Sequence, residues 1–220
     1  MKNDAVVLLS GGLDSTVNLY MAHQKWGVSC ALTINYGQRA FAKELVAARR
    51  SCQALGIEQK VLNLQSLFAE TTSSLINREE QVPMGSSVDI TSLQQSLETA
   101  KSVWVPNRNG VFLSLAAALA ESLDCQYVVP GFNKEEAATF PDNSSDYVAA
   151  INSSLQYSTQ NSVEVISLTQ AMDKGQLYSQ AQELNIPAEN IWSCYLDGEK
   201  PCGRCESCLR TERAVKAFHA

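Results

Sequence analysis

The sequence predicts an α/β protein, a parallel sheet with helices on both faces, followed by a small C-terminal metal-binding segment. Three observations predict it. Short β-branched apolar runs alternate with amphipathic stretches along most of the chain. The first such run breaks into the glycine- and hydroxyl-rich stretch Ser10 to Thr16. Four cysteines crowd into the fifteen residues from Cys194 to Cys208.

The elements follow in order. Ala5 to Ser10 and Val28 to Tyr36 are continuous apolar runs of strand length, as in strands buried on both faces. Between them, Leu13 to Trp26 carries Val17, Tyr20 and Met21 at helical spacing and stops near Gly27. The alternation continues with a helix at Ala42 to Leu55, a strand at Lys60 to Leu64 and an alanine- and leucine-rich helix at Val111 to Leu123. A strand at Tyr127 to Phe132, a helix at Tyr147 to Leu155, a strand at Val163 to Leu168 and a helix at Gly175 to Leu184 complete it. Such a sheet is Rossmann-like, and its ligands gather outside the carboxyl ends of the strands.

Two regions leave this rhythm. Gln65 to Val103 is rich in Ser, Thr, Gln and Glu without strong periodicity, which reads as a functional or mobile insertion. The segment after Pro187 holds the cysteine cluster, so the chain divides into a nucleotide-binding unit over 1–187 and a zinc-binding segment over 188–220.

Composition sets bounds on function. With 220 residues, 45% apolar and 18% charged, the chain has enough material for one substantial core. A net charge of −6 gives no electrostatic footprint for a phosphate backbone, so nucleic acid is not an expected partner. The N-terminal apolar run is too short for a signal-peptide core or a membrane span, so the expectation is a cytoplasmic protein without membrane contact.

A loop that leaves a parallel strand and enters a helix offers free backbone N–H groups and the positive end of the helix dipole. Gly11 and Gly12 allow close approach, while Ser10, Ser15 and Thr16 add hydroxyls, so the loop reads as an anion cradle. The lysine-bearing nucleotide loop and the dinucleotide fingerprint are both absent here. What stands is Ser-Gly-Gly-x-Asp-Ser, which resembles the pyrophosphate loop of ATP pyrophosphatases. Asp14 is an acid among phosphate ligands, and its expected role is to help hold Mg²⁺. A Gly-Gly turn with a Ser or Asp cap is the structural alternative.

Cys194, Cys202, Cys205 and Cys208 stand in the pattern Cys-x7-Cys-x2-Cys-x2-Cys. Four thiolates at such spacing match tetrahedral Zn²⁺ in a closed, structural site, with an iron–sulfur cluster as the alternative. Disulfides do not fit the cytoplasmic reading. The solitary Cys30, Cys52 and Cys125 lie in apolar stretches and read as buried small hydrophobes, and Arg204, Arg210 and Arg213 read as a solvated helix face.

Ser10 to Ser15, Asn35 to Ala40, Val105 to Glu121 and Trp192 to Cys208, in that order and spacing, resemble the 7-cyano-7-deazaguanine synthase family of queuosine precursor synthesis. The resemblance implies conversion of 7-carboxy-7-deazaguanine, ammonia and ATP into the nitrile, with AMP and pyrophosphate released, and a homodimer. It implies an ATP and magnesium site at Leu9, Ser10, Gly11, Gly12, Leu13, Asp14, Ser15 and Thr16. Asp14, Arg108 and Arg39 become the expected catalytic residues, the two arginines as clamps for phosphate or carboxylate. Tyr36, Gln38, Asn107, Asn109 and Asp142 become the expected substrate contacts, with Asn109 alternatively a helix cap. Related amide-forming synthetases and tRNA sulfur-transferases are the rival activities. The chain departs from the family pattern at Asn143-Ser144, where many members have Cys-Arg, and at Ala40, where a histidine is frequent.

Overall fold

The computed structural model describes residues 4–219. Among the described residues five strands form one sheet in the order β3-β2-β1-β4-β5, and every pairing is parallel. They are β1 (Ala5–Leu8), β2 (Val28–Asn35), β3 (Glu58–Asn63), β4 (Tyr127–Val129) and β5 (Glu164–Val165). The α/β expectation therefore holds, although β4 and β5 are shorter than their apolar runs. Pro130 and Gly131 follow directly after β4, and proline has no N–H to continue a ladder.

The period of two along β1 assigns its residues to opposite cores. Val6 points into a cluster with Leu32, Leu113, Ala116, Ala117 and Val128, on the side of α4 (Arg108–Ser122) and α6 (Ser145–Ser158). Ala5 and Val7 point into the other cluster with Leu19, Ala22, Ala48 and Cys52, from α1 (Leu13–Lys25) and α2 (Phe41–Leu55). Alanines along α4 let its backbone lie close to the sheet. Burial pushes the Cys30 thiol up to about 11 and Cys52 up to about 12, which suits inert packing residues.

The insertion is packed. It contains α3 (Leu93–Val103), and Met84 forms an antiparallel bridge with Cys205 while the Gly85 amide donates to the Arg204 carbonyl at 2.9 Å. Its loop is also tied down by Arg39, whose guanidinium donates to the carbonyls of Ser74 (2.7 Å), Asn77 (2.7 Å) and Glu80 (2.6 Å).

Two further helices complete this side, α7 (Lys174–Glu183) and α8 (Glu206–Phe218), preceded along the chain by the one-turn α5 (Lys134–Ala137). Leu177 and Ala181 of α7 pack on Leu13, Val17 and Tyr20 of α1. Arg210 corrects the solvated-face expectation, because it is buried at 9% exposure and bridges Glu206 (2.7 Å) and Glu135 (3.0 Å). A guanidinium can be buried there since two carboxylates satisfy its fork. Among the described residues, no helix is long and apolar enough to cross a membrane.

Candidate functional site

The strand order reverses between β1 and β4, and a cleft of about 260 Å³ opens outside their carboxyl ends. Leu9, Ser10, Gly12, Asp14 and Ser15 form one wall. Tyr36, Arg108, Asn109 and Asp142 also line the cleft, with Trp192, Ser193 and Tyr195 from the start of the cysteine segment.

The loop is preformed. The Ser15 hydroxyl accepts from the Ser10 amide at 3.2 Å and lies 2.9 Å from the Ser10 hydroxyl, which accepts from the Gly12 amide at 3.2 Å. The Leu13 amide at the start of α1 donates to the Ser193 hydroxyl at 3.4 Å, and the amides that follow it in the first turn suit an anion. Gly11 has φ +81° and lies so close to α2 that a Cβ there would sit 2.4 Å from the Glu44 carbonyl. A Cβ on Gly131 would sit 2.7 Å from the Ser15 amide, so the end of β4 also presses on the loop. Leu13 is instead a core residue of α1, and Thr16 is fully buried beneath the loop.

Asp14 is paired with Lys174, at 2.5 Å, and accepts from Asn133 at 3.2 Å. Lys174 also meets Glu136 at 2.8 Å, with only 7% of its own side chain exposed. Burial opposes the charge on Lys174, but Asp14 and Glu136 outweigh it and hold the ammonium well above the ordinary lysine range. Sequence reasoning missed this lysine. One signal was present: Lys174 is the first residue of a helix whose cap is Asp173, and the positive dipole end is a poor place for a cation without another purpose.

Arg108 reaches from the start of α4 over the Tyr36 ring, 5.6 Å from its centroid, and donates to the Tyr36 hydroxyl at 3.4 Å. Burial pushes the Asp142 carboxyl up while Arg108 pulls it down. Gln38 lines the cleft, and its amide donates to the Ile34 carbonyl at 3.1 Å and to the Glu44 carboxylate at 2.9 Å. Glu44 faces the cleft, and burial raises its carboxyl to about 7 against the pull of Gln38 and Arg108. Asn107 lies outside the cleft lining, as the left-handed cap (φ 49°) of α4, whereas Asn109 lines it. Arg39, committed to the insertion, lies outside the lining as well.

The four cysteine sulfurs of Cys194, Cys202, Cys205 and Cys208 all lie within 4.8 Å of one another, and Cys202 and Cys208 are 3.9 Å apart. A metal–sulfur bond of about 2.3 Å requires sulfur–sulfur edges near 3.8 Å, so the donor set fits one tetrahedral ion. Backbone amides of Leu196 and Cys202 donate to Cys194, and those of Arg204 and Cys205 to Cys202, which steadies thiolate charge. The knot then reaches the anion loop: the Trp192 amide donates to the Gly11 carbonyl at 2.7 Å.

A glycine- and hydroxyl-rich loop at a sheet switch point, with Lys174 and Arg108 in the same cleft and a cluster of four cysteines beside it, defines a Rossmann-like α/β protein whose cysteine cluster could hold a metal. The model of the family described as queuosine biosynthesis protein QueC matches residues 4–219, and the chain belongs to that family. It is 52% identical over 212 residues to a 7-cyano-7-deazaguanine synthase of Bdellovibrio bacteriovorus, covering 95% of this chain and 91% of that one. It is 47% identical over 215 residues to the synthase of the same name from Methanosarcina mazei, covering 96% of this chain and 93% of that one. Among solved structures, an NMN synthetase from Francisella tularensis is similar with a TM-score of 0.49 at 15% identity, covering 90% of this chain and 70% of that one.

Proposed function

We propose that the chain is a cytoplasmic, homodimeric 7-cyano-7-deazaguanine synthase that uses ATP twice on one substrate. The observation that carries this reading is the cleft itself, where the Ser10–Ser15 loop, the Lys174 ammonium and the Arg108 guanidinium face one another. The names of the relatives supply the substrate class.

In this reading a carboxylate oxygen of 7-carboxy-7-deazaguanine attacks the α-phosphorus of ATP. Pyrophosphate leaves into the cradle of Ser10, Gly11, Gly12 and Ser15, with Lys174 countering its charge. Ammonia adds to the activated acyl carbon, AMP departs and a proton is lost, giving the amide. Glu44, poised near neutrality at the loop, is the group we assign to accept that proton. The amide oxygen is then adenylated by a second ATP, and loss of AMP and of both nitrogen-bound protons leaves the nitrile. Arg108 holds the reacting carboxyl or amide oxygen against the phosphate.

Mg²⁺ fits the chemistry of the Asp14 and Glu136 carboxylates, and when bound it would screen phosphate charge. Both carboxylates already share Lys174, so the ion and the lysine divide that task. Zn²⁺ is the ion we assign to the cysteine knot, as a staple for the segment over 188–220. Support for the dimer comes from edge strand β3, which leaves Val61 (44%) and Leu62 (37%) exposed.

The test is mass spectrometry after incubation with Mg-ATP, ammonium and 7-carboxy-7-deazaguanine. Nitrile with two equivalents of AMP is the expected product. Amide as the end product would demote the reading to a simpler synthetase, and no product would overturn it.

A further inference from the structure

Trp104 and Phe140 belong to none of the hydrophobic clusters, yet both line the cleft. Trp104 closes the end of α3 and keeps 38% of its surface exposed, an unusual state for an indole with no packing duty. Phe140 precedes the short turn Pro141–Asn143 that carries Asp142. Their rings are parallel to within 7°, with centroids 6.3 Å apart.

That spacing separates this pair from the closed stack of Trp26 on Tyr127, whose centroids are 4.3 Å apart. A flat ring touching both faces needs two van der Waals separations, about 7 Å. With centroids 6.3 Å apart the pair is not in closest ring-over-ring contact, and rotation of the two side chains is what brings their faces to that separation. Asp142, two residues beyond Phe140, and Asn109 add polar groups to the same cleft lining.

We propose that Trp104 and Phe140 are the jaws of an aromatic clamp for the flat, guanine-like bicyclic ring of the substrate, with Asp142 accepting hydrogen bonds from that ring's donor edge. A guanine-type edge presents a ring N–H and an exocyclic amine side by side, both donors, and a carboxylate accepts both. Adenine presents an acceptor beside its amine, so the same carboxylate matches it poorly. This geometry assigns the clamp to the deazapurine and leaves ATP to the Ser10–Ser15 side. Stacking between aromatic faces with a carboxyl reading the edge is a general way for proteins to hold a single base. The inference rests on the proposed synthase reading and adds the two residues that select the ring.

The test compares wild type with Trp104→Ala, Trp104→Phe, Trp104→Leu and Phe140→Ala in the full-length, metal-loaded protein. Binding of 7-carboxy-7-deazaguanine is measured by calorimetry, and ATP affinity in parallel. Loss of one stacking face is expected to weaken deazapurine binding roughly tenfold to a hundredfold, while ATP affinity stays within about twofold. Trp104→Phe, which keeps a flat face, should recover most of the loss, whereas Trp104→Leu, which keeps only apolar bulk, should not. Unchanged deazapurine binding in Trp104→Leu and Phe140→Ala would overturn the clamp while leaving the synthase reading intact. A selective loss of ATP affinity would also overturn it, by assigning the slot to adenine. Wild-type protein that fails to bind the deazapurine would overturn both.

Discussion

The anion loop at the end of β1 and the cysteine knot before α8 are both written as short motifs, yet they depend on the rest of the chain in opposite ways. The knot gathers all four sulfurs from fifteen consecutive residues, and its amide-to-sulfur hydrogen bonds are equally local. The loop is local only in its backbone. Its charge partner Lys174 lies 160 residues along the chain from Asp14, its far wall is Arg108, and Gly131 and Trp192 brace it from two other segments. A cluster of neighbouring cysteines therefore carries its own specification, whereas a cleft at a sheet switch point borrows residues from several strand ends. The knot nonetheless supports the loop through Trp192 and supports the insertion through Met84 and Gly85.

Breaking the knot should have the largest effect. In Cys205→Ser we expect loss of bound metal and of cooperative folding, because binding energy at such sites is folding energy, about 10 kcal/mol or more in small metal-folded peptides. Metal analysis and thermal melting of the purified variant check this; full metal content with a wild-type melt would contradict it. The loop should behave differently. Lys174→Ala leaves Asp14 and Glu136 without their shared cation and should cost about 3 kcal/mol of stability together with turnover. Asp14→Ala, in which Lys174 keeps Glu136, should abolish turnover while the melt moves little. Chemical denaturation beside AMP release separates the pair, and wild-type activity in Asp14→Ala would sink the role assigned to that carboxylate.

The pH dependence of stability sharpens the comparison further. Burial raises Glu44 from the ordinary glutamate range to about 7, so the folded protein binds more protons than the unfolded chain between these values. The sign follows: the contribution of Glu44 is favourable below the unfolded pKa and is lost as pH rises through the folded one. Glu44→Gln should therefore gain stability relative to wild type as pH rises from about 5 to about 8. Melting temperatures across that range measure the gap, and a constant gap would show that Glu44 does not titrate there.

Legibility in the sequence follows the same division. Parallel order was readable because β1, β2 and the helix between them each carry a complete apolar period. The short β4 and β5 were over-read, since apolar residues continue past the point where Pro130 ends the ladder and where Ser167 turns to the Phe132 carbonyl. Arg39 and Arg108 look alike as residues in motif segments. Only their surroundings separate them, one committed to three carbonyls of the insertion and the other facing the cleft.

What the sequence by itself determined is the class of sheet, the position of the anion loop, and the cysteine set, because periodicity, a strand-to-helix turn and closely spaced ligands are properties of neighbours along the chain. Tertiary structure alone decided that Lys174 pairs with Asp14, that Arg210 is buried between Glu206 and Glu135, and that the Trp104 and Phe140 rings lie parallel in the cleft lining. Those relations come from burial and charge pairing between distant segments, whose energies exist only once the sheet has brought them within a few ångströms.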